Sequence, residues 1–439
     1  MADESFTPSE WPRNDTELNG LMLTGGGARA AYQVGVLEAI AQLRRECGQQ
    51  HGPNPFPIIG GTSAGAINAA SLACGADQFE RTVGIISNVW RNFHADQVYR
   101  ADSLSMFRTG AKWATLLSLG WLIAKWRRVK PKSLLDNSPL AELLHTMVPL
   151  ERLPGLVEKG HLHALAVTAS SYSTGEHITF FDGRDGLKPW TRSQRRGLRT
   201  PISHTHLLAS SAIPFVFPAM PLELSGVTSY FGDGSMRQSA PIAPAIHLGA
   251  RRILVVGAGR LHEPKGDGAM PTAGQYPSVA QIAGHALANI FLDALSVDVE
   301  RIRRINQTLS LVPPELRNAS NLRPVDLLVV SPSQRLDSIA AEHIDELPSA
   351  VRSLLDGVGV SAETANGKGS ALASYLLFEP GYTNALITLG HDDTMRQRAE
   401  VCRFFGWSDP TVPATQAPDT AHLPQTPQTD RRRDPLRLR

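Results

Sequence analysis

Residues 57–74 read PIIGGTSAGAINAASLAC, and this stretch decides the fold class. Its first four residues form a short apolar run, which predicts a buried strand. Residues 64–74 are mostly alanine and other small residues, which predicts a helix. A strand followed at once by a helix is the repeating unit of an α/β protein.

The turn between this strand and this helix holds the first candidate for chemistry. Residues 61–65 read GTSAG and match the pattern Gly-x-Ser-x-Gly. Small residues beside the serine permit a sharp strand-to-helix turn that exposes its hydroxyl at a helix N-terminus. The pattern therefore predicts a nucleophilic Ser63 in an elbow flanked by Gly61 and Gly65. An ordinary structural turn is the alternative interpretation.

A second glycine-rich turn lies upstream, where the strand candidate at residues 20–24 is followed by GGGARA at residues 25–30. In a parallel sheet both turns face the crevice at the carboxyl ends of the strands. A dinucleotide-binding turn is one interpretation, but it requires an acidic residue where residues 60–62 read GGT. We favour an oxyanion hole, in which backbone N–H groups of consecutive glycines stabilise charge on a carbonyl oxygen. A plain glycine turn for close packing is the remaining alternative.

The rest of the chain alternates between strand and helix patterns. Further strands are predicted at residues 162–168, 177–181, 228–231, 252–257 and 325–331, and helices at residues 30–47 and 278–306. This alternation predicts an α/β fold with a central, mostly parallel sheet and helices on both faces.

No linker divides the middle of the chain, so we predict one large domain over residues 18–407. Its motif-bearing part ends near residue 260, and a further part with helices and strands follows over residues 261–407. Residues 1–17 are predicted to be a flexible leader. Residues 408–439 are rich in proline and end in arginines, which predicts a disordered tail with a basic end.

Asp233 is the second candidate catalytic side chain. It follows the strand-like run at residues 228–231 and lies between Gly232 and Gly234, which permit close approach of the backbone. Taken alone, an aspartate between two glycines also fits an ordinary turn.

Four blocks of the sequence together resemble one family. They are GGGAR at residues 25–29, GTSAG at 61–65, ASSAIP at 209–214 and DGS at 233–235. They occur in the order seen in patatin-like phospholipases, and the likeness runs from about residue 18 to residue 259, with an expected continuation to about residue 390. Members of that family are lipid acyl hydrolases that use a Ser–Asp dyad in place of a Ser–His–Asp triad.

The resemblance implies a patatin-like fold and a role for each matching residue. Ser63 becomes the nucleophile and Asp233 its base. The implied oxyanion segment comprises Gly25, Gly26, Gly27 and Arg29. Two positions depart from the family pattern: its glycine block usually ends in Gly where this chain has Ala30, and its aspartate block is usually Asp-Gly-Gly or Asp-Gly-Ala where this chain has Ser235. Both replacements are small and remove no catalytic group, so they bear on the fine geometry and the rate.

The histidines and cysteines support no metal site. His204 and His206 form a His-x-His pair without an apparent third ligand, so a structural or exposed role is favoured. The three cysteines, Cys47, Cys74 and Cys402, have no metal-ligand spacing and indicate a reducing compartment. No metal or organic cofactor is implied.

Composition excludes several other classes. Hydrophobic residues make up 42% of the chain, enough for a sizeable core, and 43 Lys and Arg against 41 Asp and Glu leave a net charge of +2. This balance argues against a nucleic-acid partner. No apolar run reaches the roughly 18 residues of a spanning helix, and the N-terminus lacks a signal-peptide pattern. The expectation is a cytoplasmic protein with a lipid as its substrate, and no oligomeric state is predicted.

Residues 103–132 combine apolar and aromatic side chains with a basic cluster. Tryptophans beside lysines and arginines are typical of a segment that lies in a membrane interface. The candidates for membrane contact are Trp113, Trp121, Trp126, Arg127 and Arg128. Peripheral contact with a membrane surface is therefore one prediction, and a core-facing helix with a solvated basic end is the alternative.

The predicted function is hydrolysis of a fatty-acyl ester in a phospholipid or related lipid, through an acyl-enzyme on Ser63. A catalytically silent lipid-binding or membrane-docking protein of the same fold is the alternative. A nucleotide-binding protein that uses the turn at Gly25 is a weaker one.

Overall fold

A computed structural model describes residues 17–100, 133–224, 226–236, 238–259, 279–318, 322–357 and 370–411 of the chain. The predicted membrane-contact residues, almost all of the leader and most of the basic tail lie outside these residues. The division into domains stays a prediction.

The described residues form ten strands and fourteen α-helices. The strands are β1 Asn19–Leu23, β2 Ile58–Thr62, β3 Ala164–Ser171, β4 His177–Gly183, β5 Trp190–Arg192, β6 Arg195–Arg199, β7 Met220–Leu224, β8 Val227–Asp233, β9 Arg252–Val256 and β10 Asp326–Val330.

The helices alternate with single strands or groups of strands along the chain. They are α1 Ala31–Glu46, α2 Ala64–Cys74, α3 Phe79–Arg91, α4 Ser138–Met147, α5 Leu153–Glu158, α6 His204–Ser210, α7 Ala243–His247, α8 Val279–Ser310, α9 Pro314–Asn318, α10 Leu336–Glu342, α11 Ser349–Gly357, α12 Ser370–Leu376, α13 Pro380–Arg396 and α14 Arg398–Phe405. None of the helices in the described ranges is long and apolar enough to cross a membrane.

The strands join into a single mixed sheet. Its main order is β10-β9-β1-β2-β3-β4-β6-β5, and the first five of these strands are parallel to one another. Strand β4 pairs antiparallel with β3, and β7 and β8 form an antiparallel pair beside it. The predicted α/β class with a mostly parallel central sheet is confirmed.

Helices cover both faces of the sheet because successive side chains of a strand point to opposite sides. In β1, Leu21 and Leu23 join the larger apolar cluster, which includes residues of α1, α2 and α3. Met22, between them, joins a second cluster with Leu295 and Val299 of α8. Each strand therefore supplies alternate residues to two cores, as a doubly covered sheet requires.

Helix α13, from the C-terminal part, packs closely on α1 through two glycines. A Cβ atom at Gly35 would lie 1.9 Å from the Ile387 carbonyl oxygen, and one at Gly390 would lie 2.1 Å from that of Tyr32. The Tyr32 hydroxyl donates a hydrogen bond to Asp393 Oδ2 over 3.0 Å. Any larger residue at either glycine would push the two helices apart.

One detail of the sheet brings two distant turns together. Strand β2 ends where Thr62 pairs with Thr168 of β3, and β8 ends where Asp233 pairs with Ala169, the next residue of β3. Since β4 already occupies the other edge of β3 at this point, β8 must continue along the edge that β2 occupies. The two strands meet end to end, which places Asp233 beside Ser63.

Candidate active site

Ser63 lies in a strained elbow between β2 and α2. Its backbone has a φ of 57° and a ψ of −134°, a left-handed conformation that is rare outside glycine. A Cβ atom at Gly61 would lie 2.3 Å from the Gly65 carbonyl oxygen, and one at Gly65 would lie 2.4 Å from that of Leu23. Both flanking positions of the predicted elbow therefore have no room for a side chain.

Ser63 and Asp233 are in direct contact. The Ser63 hydroxyl donates a hydrogen bond to Asp233 Oδ2 over 2.6 Å, and both side chains are buried. The other carboxylate oxygen, Oδ1, accepts a hydrogen bond from the Ser235 N–H group over 2.8 Å. The carboxylate is thus held from two sides, with one oxygen aimed at the serine.

Burial changes the protonation of this carboxyl group. Removal from water disfavours the ionised form and raises the pKa of Asp233 to about 6, although the hydrogen bonds from Ser63 and Ser235 act in the opposite direction. An aspartate with a pKa near neutrality is a stronger base than an exposed one and still ionises at pH 7.

The C-terminal end of α6 and the loop that follows it hold the serine and the aspartate in register. The Ser63 N–H group donates to Ser210 Oγ over 2.8 Å, and that hydroxyl donates to the Thr168 carbonyl over 2.6 Å. The N–H groups of Asp233 and Gly234 donate to the carbonyls of residues 212 and 210. The sequence places these residues in the ASSAIP block, but nothing in the pattern indicates that Ser210 supports the elbow.

The glycine turn after β1 lies against the nucleophile. A Cβ atom at Gly25 would lie 2.9 Å from Ser63 Cβ, so the turn backbone approaches the serine closely. Within the described ranges, the N–H groups of Gly25 and Gly26 donate to no acceptor. Gly27 has a φ of 54° and faces the Tyr375 carbonyl, which a Cβ atom would approach to 2.3 Å.

Arg29, the fourth residue of the predicted oxyanion segment, points elsewhere. Its guanidinium donates to Ser374 Oγ over 2.7 Å and lies 4.2 Å from the centre of the Tyr375 ring. The backbone N–H group of Arg29 donates to the Gly26 carbonyl. The side chain therefore ties the glycine turn to α12.

The histidine pair also points elsewhere. His206 hydrogen-bonds Ser203 at the start of α6, and His204 Nε2 lies 2.9 Å from the Val148 carbonyl oxygen. Burial lowers the pKa of His206 to about 4, which keeps it neutral. No cluster of three or more His, Cys, Asp or Glu residues in the described ranges could hold a metal ion.

A cavity of about 190 Å³ opens from Ser63 and runs beside α2. One face of α2 lines it with Ile67, Ser71 and Cys74. The opposite wall is apolar and includes Ile86, Trp90, Phe93, Leu140, Leu144 and Phe217. We call this space the apolar channel, and it is a feature that the sequence analysis missed.

The length of the apolar channel follows from α2. Lining residues run from Ser63, at the N-terminus of the helix, to Gly75, just beyond its C-terminus. At 1.5 Å per residue these positions are about 18 Å apart. An extended chain advances about 1.2 Å per bond, so the channel could hold a linear chain of roughly 13 to 15 bonds.

Comparison with known proteins gives one match over much of the chain. The model of the Patatin-like phospholipase family matches residues 21–246, just over half of the sequence. Lysophospholipase nte1 of Aspergillus terreus is 41% identical over 86 residues, which are 18% of this chain and 5% of that protein.

The solved structures that match over most of this chain have lower sequence identity to it. VipD from Legionella pneumophila is 15% identical, with a TM-score of 0.34 over 88% of this chain and 67% of that one. Human GIVD cytosolic phospholipase A2 is 12% identical, with a TM-score of 0.43 over 89% of this chain and 60% of the human one. The chain thus spans well under two thirds of the human protein and a small part of the fungal one.

Proposed function

Because the chain belongs to the patatin-like phospholipase family, we propose that it hydrolyses fatty-acyl esters of phospholipids or related lipids through an acyl-enzyme on Ser63. The observation that carries the proposal is the 2.6 Å contact between Ser63 Oγ and Asp233 Oδ2, with Ser63 lining the apolar channel. A nucleophile, a base and a binding site for an acyl chain are then contiguous.

The first half-reaction forms the acyl-enzyme. Asp233 takes the hydroxyl proton as Ser63 Oγ attacks the acyl carbonyl carbon, and the carbonyl oxygen becomes negatively charged. The N–H groups of Gly25 and Gly26, which have no acceptor in the described ranges and belong to the turn beside Ser63, would donate hydrogen bonds to that oxygen. When the carbon–oxygen bond to the alcohol breaks, Asp233 returns the proton to the departing alcohol.

The second half-reaction releases the fatty acid. Asp233 removes a proton from water, the resulting hydroxide attacks the acyl carbon, and the proton returns to Ser63 Oγ as the ester bond breaks. No group besides the carboxylate is needed as an acid or base, and this fits the positions of His204 and His206, whose hydrogen bonds lie elsewhere.

The apolar channel supports a lipid substrate. Its wall consists mostly of aliphatic and aromatic side chains and begins at the nucleophile. Burying a methylene group contributes about 0.8 kcal/mol, so a long acyl chain would bind there with substantial energy. The nucleotide alternative is disfavoured by the Asp233 carboxylate, which contacts Ser63 beside the Gly25 turn and would repel a phosphate there.

Labelling by a fluorophosphonate tests this proposal. The reagent phosphonylates activated serines, so we expect one adduct, found by mass spectrometry on the peptide that contains Ser63 and lost in Ser63→Ala. Ser338→Ala, on the exposed surface of α10, is the matched control and should label like the parent. Labelling that persists in Ser63→Ala would refute the assignment of the nucleophile.

Lipid turnover separates the alternatives from the proposal. A panel of phospholipids, lysolipids and acylglycerols should show release of fatty acid by the parent and none by Ser63→Ala. A folded parent that binds liposomes but neither labels nor releases fatty acid would instead be the silent lipid-binding protein.

The proposal includes peripheral contact with a membrane surface through residues 103–132, on the basis of their sequence. Replacement of Arg127, Arg128 and Lys130 by glutamine should weaken binding to anionic liposomes, since each basic residue near such a surface contributes about 1 kcal/mol. The loss should be larger at low salt, where screening is weak. Unchanged sedimentation with anionic liposomes would contradict this part of the proposal.

A further inference from the structure

Ser235 holds a buried hydroxyl group that the Ser63–Asp233 pair does not explain. Its side chain is 4% exposed, and its Oγ atom forms no hydrogen bond with any residue that the structure describes. Only its backbone is used, because its N–H group donates to Asp233 Oδ1. A buried hydroxyl without a partner is unfavourable and uncommon in native proteins, so the Ser235 hydroxyl has a donor capacity that no described residue uses.

The hydroxyl faces the place where the ester carbonyl would react. A Cβ atom at Gly25 would lie 2.1 Å from Ser235 Oγ and 2.9 Å from Ser63 Cβ. Both atoms therefore lie within 3 Å of one point above the Gly25 α-carbon. The Ser235 hydroxyl, the nucleophile and the glycine turn thus border the same small space.

We propose that Ser235 is a further catalytic residue, whose hydroxyl donates a hydrogen bond to the ester carbonyl oxygen as it becomes negatively charged. The proposal rests on the function proposed above and adds a side-chain donor to the N–H groups of Gly25 and Gly26. The hydroxyl keeps its proton throughout and only changes its hydrogen-bond partner. A donor without a partner before substrate binds loses no existing bond when it turns toward the oxyanion.

A competing role for Ser235 is to act on the neighbouring carboxylate. The hydroxyl lies close enough to Asp233 to hold the pKa of that carboxyl down, although it satisfies no hydrogen-bond geometry with it. The two carboxylate oxygens already accept from Ser63 Oγ and from the Ser235 N–H group. The geometry therefore favours donation to the substrate.

Two variants test the proposal by removing the hydroxyl, Ser235→Ala alone and Ser235→Gly together with the β-carbon. Ser235→Ala and Ser235→Gly introduce the residues that the family usually has at this position, so both should fold. With a soluble short-chain ester we expect kcat to fall about 100-fold, the loss typical of one oxyanion donor, with KM changed less than twofold. The acid limb of the pH profile should move upward only slightly, because Asp233 keeps the hydrogen bonds from Ser63 Oγ and from the N–H group of residue 235, and the loss of kcat should persist at pH 8, where Asp233 is ionised in both proteins.

The thermal midpoint provides an independent readout. Ser235→Ala should raise Tm by about 2 °C, because it removes an unpaired buried hydroxyl. Ser170→Ala is the matched control, since the buried Ser170 hydroxyl donates to the Met236 carbonyl in the same turn, and its loss should lower Tm.

Three results would overturn the proposal. An unchanged kcat in Ser235→Ala would exclude a catalytic role. A reduced rate that recovers fully at higher pH would show that the hydroxyl acts through Asp233. A parent that neither turns over esters nor labels with a fluorophosphonate would overturn both this proposal and the function on which it rests, whereas an active parent with an unaffected variant would overturn this one alone.

Discussion

We call the elbow at residues 61–65, the glycine turn at residues 25–27 and Asp233 the corner. The corner and the apolar channel share Ser63 but are built in different ways. In the corner, backbone conformation and a few specific hydrogen bonds position the groups: Ser63 has a positive φ and donates its N–H to Ser210 Oγ, and Gly61 and Gly65 have no room for a Cβ atom. In the channel, side chains from α2, α3 and α4 enclose a space, and no single contact defines it.

This difference predicts how each region responds to mutation. A change in the corner moves reacting atoms that must align within a few tenths of an ångström. We therefore expect a large loss of kcat that does not scale with the size of the new side chain. A change in the channel alters buried apolar area, so its effect should scale with the number of methylene groups affected. The predictions below test that contrast.

The largest effect is expected at the base. Asp233→Asn leaves an amide that cannot take the Ser63 proton, so kcat should fall by about 10³- to 10⁴-fold. The side chain keeps its shape, and KM for a short-chain ester should change little. Stopped-flow or steady-state assays with a chromogenic ester provide the measurement.

Histidine variants serve as controls for that result. His204→Ala and His206→Ala should keep turnover within a few-fold of the parent, since their hydrogen bonds are made to Val148 and Ser203. If either variant lost activity as completely as Asp233→Asn while remaining folded, a histidine would belong to the catalytic unit.

The next effect in size concerns the glycine turn. Gly25→Ala places a Cβ atom 2.1 Å from Ser235 Oγ and 2.9 Å from Ser63 Cβ, so the turn, the nucleophile or the Ser235 side chain must shift. We expect kcat to fall about 100-fold, as for loss of one oxyanion donor. Gly84→Ala, at an open position of α3 with nothing within 4 Å, is the matched control and should leave kcat unchanged.

The same contrast explains what the sequence could predict. The fold class follows from apolar runs and helical patterns, and the predicted helix at residues 64–74 has the observed bounds of α2. The elbow motif pointed to Ser63 and the family resemblance to Asp233, and the structure brings these two side chains into contact, while their catalytic roles stay predictions.

The features that the sequence did not predict depend on contacts between segments that are distant along the chain. The channel draws on separate helices whose apolar residues look like ordinary core. Arg29 hydrogen-bonds Ser374, which lies 345 residues further along the chain, so no local pattern indicates this contact. The end-to-end meeting of β2 and β8 depends on the register of both strands with β3, which sequence patterns do not specify.

A third prediction concerns pH. Burial raises the pKa of Asp233 to about 6, and only the ionised form can act as a base. The value of kcat/KM should therefore be constant above pH 7 and fall about tenfold per unit below pH 6. A limb with a midpoint near 4 would mean that the carboxyl group is hydrated during turnover.

Stability should show the opposite trend. Because the folded-state pKa of Asp233 lies above its unfolded value, its contribution to stability is fully present below about pH 4 and is lost as the pH rises through 6. The ionised group then destabilises the fold by about 3 kcal/mol. Asp233→Asn should thus be more stable than the parent at pH 8 and similar at pH 4, as judged by urea unfolding.

The smallest effects are expected in the channel, where two substitutions on one face of α2 should shorten the accepted chain by different amounts. In the parent, kcat/KM should rise about fourfold per methylene, the equivalent of about 0.8 kcal/mol, up to roughly 13 to 15 bonds.

Ile67→Trp fills the channel about 6 Å from Ser63, one helical turn away, so the rise should stop after about five bonds. Cys74→Trp lies near the far end, and there the rise should stop only a few methylenes short of the parent. Turnover of an acetyl ester, which needs the corner alone, should be within a few-fold of the parent in both variants. If both variants lost acetyl-ester turnover, or if neither changed the chain-length profile, the channel would not be the acyl site and the corner would bind its substrate from another side.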